Sequence, residues 1–100
     1  MFENFKKIIS EKYNILEVGE VFNKSIVFKY NYFTVKFEII EELSLINCIV
    51  KKGIEHCEGS YNSIVINEMF KKDINKIDFI LYRTLEQFYT NKCKKLLEGE

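Results

Sequence analysis

This sequence predicts an α+β fold: a meander of four or five antiparallel strands, flanked on one face by a short N-terminal helix and a long C-terminal helix. Three observations carry that prediction. Apolar residues recur at helical spacing over residues 2–13, alternate with a period of two over residues 26–39, and return to a helical period from Asn67 onward. One hundred residues suffice for one core and not for two, so the expected organisation is a single domain over 1–100.

The elements follow in order. Phe2, Phe5, Ile9 and Tyr13, with Lys6, Lys7, Glu11 and Lys12 between them, mark an amphipathic helix that stops at Asn14. Ile15 to Phe22 reads as a strand. Its alternation slips after Val18, which places a bulge at Gly19-Glu20, and Asn23-Lys24 suits a tight turn. Ile26, Phe28 and Tyr30 then share one parity, and Phe33, Val35, Phe37 and Ile39 share the opposite one. A strand cannot change parity without turning its apolar face to water, so a turn at Asn31 must separate two strands. Glu41-Glu42 is the next turn, and Leu45 to Lys51 is a strand apolar on both faces. Residues 53–63 show no period and read as a loop, with a short fifth strand allowed at Tyr61 to Ile66.

The last third is helical. Phe70, Ile74, Ile77, Leu81, Leu85, Phe88 and Leu96 fall on one stripe, with Lys92 on its centre line. Either this is one straight helix, or Asp78 is the N-cap of a second one with Ile77 and Tyr82 as its hydrophobic staple. In the straight form Phe79 and Leu97 point about 140° away from the stripe, and Ile80 and Met69 flank the opposite side. Apolar residues there imply a docking surface or a dimer contact, whereas a break at Asp78 buries Phe79 instead.

Composition narrows the function classes. The chain has one His, one Arg and two Asp, and no motif for acid–base or nucleophilic chemistry, so no enzyme, metal or cofactor is expected. Net charge is zero, from 15 basic and 15 acidic residues, which excludes a global field toward nucleic acid or anionic lipid. No stretch approaches the ~18 apolar residues of a membrane span, and no signal-peptide core opens the chain, so a cytoplasmic location is expected. Three Cys without CxxC spacing read as reduced thiols, Cys48 and Cys93 as packing residues. Ala, Pro and Trp are absent, and Ile, Lys, Asn, Phe and Tyr abound, a set of A+T-rich codons that suggests a bacterial or phage gene.

Two clusters invite chemistry. In Glu55-His56-Cys57-Glu58 the sharp reading is a Cys57 thiolate beside His56 or a metal site, and the plain reading is a polar loop. The Lys6-Lys7, Lys51-Lys52, Lys71-Lys72 and Lys94-Lys95 pairs track a phosphate backbone only if the first and last meet on one edge, with Tyr82 or Tyr89 stacking a base. A near-absence of Arg argues against specific readout. The outer sheet face, with Val27, Lys29, Thr34, Lys36 and Glu38, is mixed and polar, although edge strands remain free for β-augmentation.

The helix–strands–helix order resembles that of double-stranded-RNA-binding domains. Asn67-Glu68-Met69-Phe70-Lys71-Lys72-Asp73 sets two Lys among acids rather than in a basic cluster, so the resemblance implies no RNA contact.

The function expected from these features is a small non-catalytic inhibitor, anti-CRISPR-like or immunity-like, that occludes a functional surface of a larger host or phage protein. The anchors are Phe79, Tyr82, Arg83 and Tyr89, since aromatic and Arg side chains dominate binding hot spots. A homodimer is compatible with the same face. The alternative is a nucleic-acid-binding module using the Lys pairs and surface Tyr.

Overall fold

Helix α1 (Phe2–Lys12) leads into five strands: β1 (Asn14–Gly19), β2 (Lys24–Tyr30), β3 (Phe33–Ile40), β4 (Leu45–Lys52) and β5 (Glu55–Asn62). A long helix α2 (Ile77–Glu98) ends the chain in this computed structural model, which describes residues 2–20, 24–66 and 77–98. The strands form one antiparallel sheet in the order β1-β2-β3-β4-β5. The α+β meander with a helix at each end is therefore present, and its fifth strand is complete.

The parity argument at Asn31 holds. Tyr30 pairs with Phe33 across the two-residue turn Asn31-Tyr32, and Asn31 adopts φ 52, a left-handed conformation that Asn tolerates. Phe28, Val35, Val50 and Cys57 then align in one inward row, with Ile26, Phe37, Cys48 and Gly59 in the next. Glu41–Leu43 make a 3-10 turn, and Ser44 at φ 52 reverses the chain into β4.

Three expectations need correction. The bulge lies not at Gly19-Glu20 but at Leu16, where the register shifts between Ile15 and Glu17, and Gly19 pairs regularly with Ser25. Val18 thereby joins Ile26 on the inner face. Residues 55–62 are a full strand, not a loop, and residues 63–66 are helical, not strand. Only Gly53-Ile54 turns the chain, with Gly53 at φ 63, where a Cβ is strained. The inward positions of β5 are Cys57, Gly59 and Tyr61, and a glycine in the middle of that series erases the apolar alternation.

The third correction concerns the helix. Ile80, Leu81, Thr84, Leu85 and Phe88 are buried, so the stripe in contact with the sheet is centred nearer Thr84 than the Leu81–Lys92 line. Ile80 belongs to the core, and Leu96, 67% exposed, does not. The sheet ends at the Asn31-Tyr32 and Gly53-Ile54 turns, and the turns of α2 after Phe88 are exposed throughout their described side chains. Asp78 lies in the first turn of α2 and is not a cap. Its Oδ1 accepts from the Tyr13 hydroxyl and its Oδ2 from Lys12 Nζ, each at 2.7 Å, which ties α2 to the end of α1. Phe70, Ile74, Met69 and the side chains of Phe5 and Ile77 lie outside the described residues, as does Asn23 of the Asn23-Lys24 turn, whereas Lys24 opens β2. Among the described residues no helix is long and apolar enough to cross a membrane.

Candidate functional site: the solvent face of the last helix

One close approach sets the position of α2. A Cβ at Gly59 would meet Thr84 Oγ1 at 3.0 Å and Tyr61 Oη at 2.9 Å, so the glycine lets the helix rest directly on the strand. Thr84 Oγ1 donates to the Ile80 carbonyl at 2.9 Å and shares a 2.9 Å hydrogen bond with the Tyr61 hydroxyl. Thr84 thus fastens α2 to β5 through Tyr61. Burial pushes the Tyr61 phenol up, and the Thr84 bond draws it partly back.

That seat leaves the other side of α2 only partly covered by the described residues. Phe79 is 40% exposed, Tyr82 50% and Tyr89 52%, and Arg83 is exposed beside them. The Arg83 guanidinium stacks over the Phe79 ring at 5.6 Å, a cation–π pair one helical turn apart. Tyr82 packs edge-on against Tyr30 at 6.3 Å, and Tyr89 against Phe33 at 6.1 Å and Phe88 at 5.7 Å. The row continues inward, since Tyr13 contacts Tyr30 at 5.9 Å and stacks on Phe28 at 4.8 Å. All four expected anchors therefore lie on accessible surface: Arg83 stacks on Phe79, while Tyr82 contacts Tyr30 of β2 and Tyr89 contacts Phe33 of β3.

Tyr30, Tyr13 and Asp78 support this flank, a role that the sequence assigned to none of them. Burial raises the Tyr30 phenol, and its bond with Tyr82 raises it further. Burial also raises Tyr13, with the Asp78 carboxylate second. The partly buried Tyr30 under Tyr82, and Phe33 and Phe88 against Tyr89, limit the freedom of the two exposed rings.

The remaining clusters resolve differently. His56 and Cys57 are consecutive in β5 and point to opposite faces, His56 across from Lys51 on the outer face and Cys57 into the core, so they form no dyad. Burial pushes the Cys57 thiol up and the Cys48 thiol up to about 12, the reverse of an activated nucleophile. Among the described residues no group of three His, Cys, Asp or Glu converges to hold a metal.

Lys6 and Lys24 each place Nζ 5.8 Å from the Phe2 ring, at one end of the sheet. Lys95 instead lines a cleft of about 200 Å³ at the other end, together with Ile54, Glu55, His56, Phe88, Asn91 and Lys92. The first and last Lys pairs thus lie apart, Lys95 being at the same end of the sheet as the Gly53-Ile54 turn that follows Lys51-Lys52. Lys71-Lys72 falls outside the described residues. Comparison with family models, curated proteins and solved structures finds no match to the chain.

Proposed function

We propose that this chain is a non-catalytic protein-interaction domain that docks on a larger protein through the solvent face of α2, with Phe79, Tyr82, Arg83 and Tyr89 as anchors. The observation that carries the reading is the pair of half-exposed tyrosines held in place by rings beneath them. Large amphipathic side chains that are already ordered lose little entropy on binding, which is the property shared by interface hot spots. Occlusion of a functional surface on the partner is the mode of action that fits a small domain of this kind. Its inhibitor form, carried by a phage or mobile element, draws its support from size and codon composition alone.

The test compares three tagged proteins for stoichiometric capture after nuclease treatment: wild type, a Tyr82→Ala/Tyr89→Ala variant and a Lys94→Ala control. A protein retained by wild type and control and lost by the double variant is the expected result. Equal capture by all three overturns the assignment of the face. Capture that disappears with nuclease, and binding that falls steeply with salt, would transfer the function to the Lys-rich end around Lys51-Lys52 and Lys94-Lys95.

A further inference from the structure

The solvent face of the sheet is ordered by charge, and the strand register reveals the order. Asn14, Lys29, Thr34, Lys51 and His56 are cross-strand neighbours in one row that runs through all five strands. Each adjoins a core residue in its own strand (Ile15, Phe28, Val35, Val50 or Cys57), so the row lies on the face opposite both helices. Every side chain in the row can donate a hydrogen bond, and none is acidic. With strands ~4.8 Å apart, the row is roughly 19 Å long. Asn14, Lys29, Lys51 and His56 are exposed, and neither Lys29 nor Lys51 forms an ion pair with a described residue.

The acids of this face lie further from the turn end. The next row is Glu17, Val27, Lys36, Ile49 and Glu58, with its two carboxylates out on the edge strands β1 and β5. Glu38, one row further, pairs with Lys36 at 3.6 Å. On the other side of the row, the Asn31-Tyr32 turn presents an aromatic ring. Tyr32 is 81% exposed, and Lys52 Nζ sits 5.9 Å from its centre.

We infer that this face binds a single-stranded nucleic acid, its phosphates along the row from Lys29 to His56 and a base stacked on Tyr32. The face is flat and open, where one lysine holds one small anion only weakly. An anion repeated along a chain gains from several cations in series, because each phosphate contact releases counterions. A duplex or an acidic peptide meets the same cations but offers Tyr32 no unstacked base. The donors are Lys, Asn, Thr and His without Arg, so the contacts position a backbone and read no sequence. Zero net charge is compatible with this, since the row acts within a Debye length of about 8 Å. The site uses neither α2 nor its anchors and goes beyond the docking reading.

Fluorescence anisotropy of a fluorescein-labelled oligothymidylate about 12 nucleotides long tests the assignment on the full chain. Two to three phosphate contacts give wild type a slope of about −1.4 to −2.1 in log K against log salt. Lys29→Gln/Lys51→Gln should weaken binding at least tenfold at ~50 mM salt and flatten the slope by about 1.4. Lys29→Arg/Lys51→Arg, which keeps the charges, should retain binding. Tyr32→Ala should weaken it at least fivefold with the slope unchanged. Lys6→Gln/Lys7→Gln makes the same change in net charge on α1 and should stay within twofold of wild type. No binding by wild type at ~50 mM salt, equal losses in the two glutamine variants, or tighter binding of a duplex of the same length overturns the assignment. Capture of a nuclease-resistant protein through Tyr82 and Tyr89 would still stand in each of those cases, so the two readings fail separately.

Discussion

Replacing Gly59 with Ala should loosen the seat of α2, and the size of the effect can be worked from four atoms. The new Cβ would lie 2.9 Å from Tyr61 Oη, 3.1 Å from Tyr61 Cε2 and 3.0 Å from Thr84 Oγ1, all closer than side-chain atoms settle without displacement. Either Tyr61 swings out or α2 lifts. Overpacking of this kind costs about 1–3 kcal/mol. Loss of the 2.9 Å Tyr61–Thr84 bond adds about 1 kcal/mol. The reduced freedom of the unfolded chain offsets about 0.4–1 kcal/mol, since Gly59 is not in the left-handed region. The net expectation is a destabilisation of about 1–3 kcal/mol, or about 4–8 °C in Tm for each kcal/mol.

Urea titration of Gly59→Ala should therefore lower the midpoint with the slope unchanged. The decisive comparison is the same substitution on a Thr84→Ala background. With Oγ1 gone, one of the close contacts is relieved, and the penalty should shrink by about 1 kcal/mol. Equal penalties in the two backgrounds, or a cost of Gly59→Ala under ~0.5 kcal/mol, would refute the view that this contact positions the helix and hence its exposed face.

Two further outcomes are expected. Stability should fall on the alkaline side, because burial raises the thiols of Cys48 and Cys57 and the phenols of Tyr13, Tyr30 and Tyr61 above the ordinary values of 9.0 and 10.0. Above those values the unfolded chain releases protons that the native state retains, so the contribution is complete below about pH 9 and declines as pH rises. A urea midpoint that stays flat from pH 8 to pH 10.5 would contradict it. Thiol labelling of the native protein should modify Cys93 alone and reach Cys48 and Cys57 only on unfolding, since those two are buried; three equivalents labelled rapidly under native conditions would disprove that burial.

The sequence by itself determined the order of the elements and most of the strand register. The parity change at Asn31, the turn after Ile40 and the alternation from Phe33 to Ile39 are local signals, and local backbone geometry obeys them. The proposed anchors Phe79, Tyr82, Arg83 and Tyr89 were legible as aromatic or Arg positions of the last helix, and each is accessible. One helix with apolar residues on more than one side does not declare which of them is buried. Tertiary structure decided that, through the contact of Thr84 with Gly59 across residues 25 positions apart. It likewise made a strand of residues 55–62, whose inward series is broken by a glycine, and directed Asp78 to Tyr13 and Lys12 instead of to its own helix end. Periodicity reports which residues share a face; only the partner packed against that face fixes whether it meets the core or the solvent.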